Sequence, residues 1–246
     1  MLRPLASILL CVSGALNGQP TPAPQFEVAS IKPYLPDPSR GSSGSKSGQG
    51  RLTMFDVTLK RCIMGAYGIG PNQILGGPDW LDSNRYDILA KADQPVGDDI
   101  LMTMLQSLLA ERFKLVIHRE TRTQPAFVLE VGKNGPKLER AENGESTTRN
   151  SRGRIEAKIV TMDRFAEVLS RQMDLAVVNR TGLEGAFNLT LEWTPESAKP
   201  ARTDGLPMES APSIFTAIQR LGLSLRSRKT PVAVLVIDHA EKPSEN

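Results

Sequence analysis

Two stretches, Gly50-Arg51-Leu52-Thr53-Met54-Phe55-Asp56-Val57-Thr58-Leu59 and Gly153-Arg154-Ile155-Glu156-Ala157-Lys158-Ile159-Val160-Thr161-Met162, align without a gap. They share Gly-Arg, Val-Thr and an apolar residue at the third and last places, and Arg61 and Arg164 fall in register two residues further on. Later matches keep the same order. Arg85-Tyr86-Asp87-Ile88-Leu89 is echoed by Ala186-Phe187-Asn188-Leu189-Thr190, and Pro125-Ala126-Phe127-Val128-Leu129-Glu130-Val131 by Pro231-Val232-Ala233-Val234-Leu235-Val236-Ile237. This reads as one supersecondary unit used twice, with a period of about 100 residues.

The content of each unit follows from its periodicity. A short strand, 51–55 or 154–159, leads into a helix. In the first helix Leu59, Ile63, Met64 and Tyr67 share a face; in its counterpart Met162, Phe165, Ala166, Leu169 and Met173 do, at the spacings of three and four that mark a helix. Alternating strands are expected at 86–92 and 187–193. A second helix opens at Asp98 in the first unit, with Ile100, Leu101, Met104, Leu105, Leu108 and Leu109 as its stripe. Its equivalent starts near Ser210, carries Pro212 in its first turn and stops at Gly222. Each unit is expected to close with a hairpin: 113–119 with 126–132, and 223–226 with 232–238. The prediction is an α+β fold of two related strand-helix-strand-helix-hairpin units, mainly antiparallel sheet with helices packed on it.

The expected boundaries are a leader at 1–18, a first unit at 25–136, a connecting loop at 137–152, a second unit at 153–240 and a frayed tail at 241–246. A first strand is expected at 26–32. Segment 36–50, rich in Gly and Ser, reads as a mobile loop, and 195–210, rich in Pro and Ala, as an interruption of the second unit.

The 246 residues are 39% hydrophobic and 23% charged, which excludes collagen-like, coiled-coil and wholly disordered chains. A net charge of +3 is too mild for a nucleic-acid binder. Arg3, the apolar run 5–12 and the small residues after it read as a secretory signal, with cleavage after Ala15 or Gly18. A lipid anchor through Cys11 is the minor alternative, because Ile8-Leu9-Leu10 lacks the small residue that acylation wants beside the cysteine. No other run is long enough to cross a membrane as a helix. The mature chain is therefore expected to be secreted or periplasmic. Without Cys11, Cys62 stands alone and no internal disulfide can form; it reads as a buried helix residue.

Chemical motifs are mostly look-alikes. Gly41-Ser42-Ser43-Gly44-Ser45-Lys46-Ser47 resembles a phosphate loop, yet Ser45 stands where that loop needs glycine before the lysine. Ser43-Gly44-Ser45-Lys46 fits Ser-x-x-Lys, but Lys229-Thr230-Pro231 fails the Lys-Thr-Gly that must accompany it. His118 could serve as a base, although no orienting carboxylate is identifiable from sequence. His239 is near the tail. Asp79, Asp82 and Asp87 suggest a cation site at first sight, but Gly76-Gly77-Pro78-Asp79 is turn chemistry and Asp82 can cap. No catalytic set, metal site or cofactor is expected. Two binding surfaces are: the basic hairpin turns, with Arg119 and Arg122 in one unit and Arg226, Arg228 and Lys229 in the other, and Trp80. The turns could meet an anionic envelope polymer, lipid head group or acidic protein patch, or be edge-protecting charges. Trp80 is either exposed for binding or a plug beneath its turn.

Long strings carry a family resemblance. They are Gln73-Ile74 with Gly76-Gly77-Pro78-Asp79-Trp80-Leu81-Asp82-Ser83, Arg85-Tyr86-Asp87-Ile88, Leu108-Leu109-Ala110-Glu111-Arg112-Phe113-Lys114-Leu115 and His118-Arg119-Glu120-Thr121-Arg122. In the second unit Asn179-Arg180-Thr181-Gly182-Leu183 with Gly185, Ser213-Ile214-Phe215-Thr216-Ala217-Ile218-Gln219 and Val236-Ile237-Asp238 through Glu241-Lys242-Pro243-Ser244 continue it. Nearly the whole mature chain resembles a soil-associated family of exported bacterial proteins classed as a domain of unknown function. Asn179 stands where that family often carries Asp. The resemblance implies no activity and carries over no catalytic residue. In some bacterial proteins a similar domain follows a membrane metallopeptidase of the antibiotic-sensor type. The unit itself is similar to short periplasmic domains of secretins and TonB-dependent receptors, which bind other proteins; this is fold-level analogy. The expected function is a non-enzymatic binding or interaction module of the periplasm or cell envelope, contacting its partner at a sheet edge or in a groove between units. The alternative is an extracytoplasmic hydrolase-like enzyme acting on a peptide or envelope polymer through His118 or segment 79–87.

Overall fold

Thr58 and Thr161, paired in the sequence alignment, are both helix N-caps. The side-chain oxygen of Thr58 accepts from the Arg61 N–H, and that of Thr161 from the Arg164 N–H. Two residues before each cap the backbone turns left-handed, at Asp56 (φ 52°) and Ile159 (φ 53°). Side chains unfavourable there are held by a partner strand. The Asp56 N–H donates to the Asp87 carboxylate at 3.0 Å, and the Ile159 N–H to the Asn188 side-chain oxygen at 3.1 Å. Each kink is a bulge that swings an apolar strand into the helix covering it.

The computed structural model describes residues 23–36, 43–142, 144, 146–195 and 212–244. The first half contains β1 (Val28–Pro33), β2 (Gly44–Gly48), β3 (Arg51–Thr58), α1 (Leu59–Tyr67), β4 (Ile74–Gly76), β5 (Arg85–Lys91), α2 (Asp98–Arg112) and β6 (Val116–Val131). The second half follows the same order with β7 (Glu139–Ala141), β8 (Thr147–Ser151), β9 (Arg154–Val160), α3 (Met162–Ser170), β10 (Val177–Asn179), β11 (Ala186–Glu192), α4 (Ile214–Arg220) and β12 (Leu223–His239). Two outer sheets have matching orders, β1-β5-β3-β2 and β7-β11-β9-β8, and a central sheet runs β10-β6-β12-β4. Pairing is mainly antiparallel, and the chain is α+β as its pattern predicts.

The expected hairpins do not form. Segments 113–132 and 223–238 each hold one continuous strand, β6 and β12, and these pair with each other from Leu223–Val131 to His239–Val116. The polar stretches 119–125 and 226–231 imitate turns but contain no glycine. Nothing local folds them back, so they run on as the middle of a long ribbon. Pro125 and Pro231 sit outside the reach of the short flanking strands β10 and β4, where one side of the strand is open and a missing N–H is tolerated. With Pro125 matched to Pro231, Gln124 is matched to Thr230, and those two residues face each other in the ribbon. The centre of the ribbon is thus a local two-fold axis.

That axis decides where the cores lie. The first core is built from α1, α2, β3 and β5, with Leu59, Ile63, Ile88, Leu105, Leu109 and Phe113 wholly buried, and it also takes Leu235 and Ile237 from β12. The second is built from α3, α4, β9 and β11 around Ile155, Phe165, Leu169 and Ile218, and it takes Leu129 from β6. Each long strand therefore ends inside the other half.

Several expected loops are strands. Segment 137–152, expected as a connection, supplies β7 and β8, and β2 lies inside the expected mobile loop 36–50. These edge strands are exposed and polar, so no apolar alternation announces them. Glu241, expected to fray, donates its N–H to the Phe113 carbonyl at 2.7 Å. The leader and most of 195–210 lie outside the described residues.

Candidate functional site

The basic residues expected on turns lie along the ribbon and are divided between its faces, because strand side chains alternate. Arg122, Arg226 and Arg228 share one face with His118, Glu120 and Glu130, while Arg119 and Lys229 fall on the other. On the shared face the arginines meet carboxylates: Arg122 with Glu120 at 2.8 Å, Arg228 with Glu130 at 3.0 Å and Arg226 with Glu130 at 3.9 Å. The five residues do not converge on one patch. Trp80 is half-buried in a short 3₁₀ turn, and its ring lies 6.5 Å from that of the wholly buried Phe113.

His118 has the carboxylates that sequence could not identify. Its Nδ1 lies 2.8 Å from Asp238 and its Nε2 3.0 Å from Glu120. Asp238 was invisible as a partner because it belongs to the other long strand, at the bulge between Ile237 and His239. Hydrogen bonds to Asp238, then Glu120, raise the His118 pKa, and the bond from His118, then that from Arg122, lowers the Glu120 pKa. A histidine with a raised folded pKa stabilises fully below its ordinary 6.5 and stops doing so as pH rises through the folded value. Glu120 stabilises above its ordinary 4.5 and loses that as pH falls through its depressed value. The pair contributes fully between the two. His118→Gln is therefore expected to lower the melting temperature most at pH 5 to 6 (about that window), with the gap closing as the solution is made alkaline. A gap that stays constant with pH would refute the assignment.

The other titratable candidates have structural partners. Asp82 pairs with Lys60 at 3.1 Å and accepts from the Thr58 hydroxyl, Asp87 holds the Asp56 bulge, and Asp79 lies in the turn of Trp80. Among the described residues no cluster of three or more His, Cys, Asp or Glu side chains has the arrangement of a metal site. His239 pairs with Glu241 at 2.9 Å. Cys62 is fully buried, and loss of water pushes its thiol up to about 12, so it stays protonated and unreactive. Asn179 donates to Asp163 at 2.8 Å and accepts from the Thr181 N–H and hydroxyl, which fixes a turn.

A cleft of about 840 Å³ opens where the two halves meet. Its lining is polar. From β2 come Ser45 and Ser47, with Ser43 just before it, and from the equivalent strand β8 come Thr148 and Asn150. Arg61 of α1 and its counterpart Arg164 of α3 both reach it, with Lys60, Arg85, Arg152 and Arg171. Arg171 stands at the C-cap of α3 in the place that Gly68 takes after α1. Close packing brings the halves together beside the cleft. A Cβ on Gly68 would come within 3.0 Å of the Glu167 carboxylate, and one on Gly70 within 2.4 Å of the Ser170 carbonyl. Sequence reading placed Arg61 and Arg164 in register but gave them no role, since neither lies in a motif.

Among the described residues no helix is long and apolar enough to cross a membrane. No curated protein and no solved structure is similar enough to this chain to count as a match. A family model described as "Protein of unknown function (DUF3738)" matches residues 60–240, from Lys60 in the cleft through the ribbon to the end of β12. By that match, which covers most of its length, the chain belongs to the DUF3738 family.

Proposed function

We propose that this protein is an exported, non-enzymatic binding module of the periplasm or cell envelope, produced by duplication of one unit, and that it contacts its ligand in the cleft between its halves. The observation that carries this reading is the lining of that cleft by equivalent positions, Arg61 with Arg164 and Ser45 with Thr148, one from each half. A hydrolase built on His118 has less support. Both ring nitrogens of His118 already face carboxylates, so neither is free to draw a proton from a nucleophile. The basic ribbon residues serve on this reading as solvated charges along a two-stranded element.

The test is retention of envelope fractions on immobilised protein, comparing the wild type with two double variants. Arg61→Ala with Arg164→Ala is expected to abolish retention, and Arg122→Ala with Arg228→Ala to leave it unchanged. Equal retention by all three, or hydrolysis of an envelope peptide or polymer that His118→Gln abolishes, would overturn the proposal.

A further inference from the structure

We infer that the cleft recognises a small ligand carrying two oxyanion groups, phosphate or carboxylate, with Arg61 contributed by one half and Arg164 and Arg171 by the other. The inference rests on the cleft reading above and gives that site its ligand chemistry.

The charges in the cleft do not balance. Of its three aspartates, Asp56 is bound to Arg85 at 2.8 Å and Asp82 to Lys60 at 3.1 Å, while Asp98 opens α2, where the helix dipole favours an acid. Arg164 shares Glu167 at 2.8 Å. Among the described residues neither Arg61 nor Arg171 has a carboxylate within ion-pair distance. Arg171 lies in the field of Arg164, and burial first, then that like charge, makes its charged form less favourable than usual. The Glu167 carboxylate offsets part of this; a guanidinium stays charged under such pressure, and an anion bound in the cleft would relieve it further.

The neutral lining suits the same ligand. Strand alternation turns Ser45 and Ser47 to one side of β2, and Thr148 and Asn150 to one side of β8. Ser43 accepts from the Arg61 guanidinium at 2.6 Å, which fixes the cation and leaves the serine O–H to donate elsewhere. Guanidinium forks backed by hydroxyl donors match planar or tetrahedral oxyanions, which accept several bonds at once. Because the donors come in equivalent sets from two halves, two linked anionic groups fit better than one. The volume of about 840 Å³ is in the ordinary range for small-molecule sites.

Calorimetric titration of the whole protein with pyrophosphate, citrate, inorganic phosphate and a neutral disaccharide, at low and moderate salt, tests this. Pyrophosphate or citrate should bind, more tightly than inorganic phosphate, and salt should weaken binding; the disaccharide should not bind. Binding by one diacid class and not the other names the ligand as phosphate or carboxylate. Arg171→Met should weaken binding by about tenfold, the loss of one charge-assisted contact. Arg122→Met, on the ribbon face, should leave it unchanged. If Arg171→Met does not fold, amide shift changes in the wild type on adding ligand must map to 43–47, 61 and 164–171. No binding by either diacid, an equal loss in Arg122→Met, or shift changes elsewhere would sink the inference. If envelope retention still depends on Arg61 and Arg164 after that result, the cleft remains a binding site with a different ligand.

Discussion

Gly222→Ala is expected to cost about 3 kcal/mol or more of stability, from backbone strain plus a backbone collision. Gly222 joins α4 to β12 with φ at 72°, where a side chain crowds its own backbone. A Cβ would lie 2.0 Å from the Gly135 carbonyl oxygen and 2.7 Å from the Lys137 nitrogen. Both are backbone atoms, so no rotamer change relieves the clash. Nor can the loop simply withdraw. The Gly132 N–H donates to the Gly222 carbonyl and the Lys137 N–H to the Leu221 carbonyl, each at 2.8 Å. Yielding breaks both bonds and pulls at the register of Leu223 against Val131. Urea unfolding gives the answer: a loss below about 1 kcal/mol would mean that segment 135–137 moves freely, against the packing described.

Phe113→Ala should be at least as damaging, at about 3 to 5 kcal/mol. Phe113 is wholly buried and caps the C-terminus of α2, and four elements meet on it. Tyr86 of β5 packs edge-on at 5.2 Å between ring centres, and Trp80 stacks from its turn at 6.5 Å. Its carbonyl receives the Glu241 N–H beyond β12, at 2.7 Å. Truncation leaves a cavity that this rigid surround cannot close, which adds to the lost transfer energy. Trp80 gives a second reading: its emission should move to longer wavelength in the folded variant as water reaches the vacated space. Phe113→Leu, which keeps most of the volume, should restore much of the stability. A Phe113→Ala loss under about 1 kcal/mol would show that the surroundings collapse easily.

Much of this fold was written locally. The Gly-Arg and Val-Thr pairs at 50–58 and 153–161 mark the same strand, bulge and cap, because those tasks demand particular residues. The stripes of α1, α2 and α3 were legible for the ordinary reason that one face is buried, though Ile100 is exposed and Met173 lies beyond the end of α3. The ribbon was not. Residues 119–125 and 226–231 are polar on both sides, and only a partner in the other half, about 100 residues distant, makes them strands. The edge strands β2 and β8 are hidden similarly, since no buried face imposes alternation on Gly44–Gly48 or Thr147–Ser151. At the surface the sequence draws attention to one set of arginines, while the cleft is lined by another. Arg122 and Arg228 attract notice as clustered charge, yet their partners Glu120 and Glu130 are what place them. Arg171 drew no notice, because its burial and its closeness to Arg164 come from the fold rather than from its neighbours in the chain.

The exchange of strand ends sets an order of assembly. Leu235 and Ile237 complete the first core, so the earlier half is not fully packed until β12 has been made. The later half can recruit Leu129 as soon as its own elements exist, because β6 precedes them all. Contacts of such separation carry a large loop-closure cost before they give anything back, which slows folding and leaves the first half open meanwhile. The two-fold axis at Gln124 and Thr230 thus acts in time as well as in space, because the first core is completed only when β12 pairs with β6.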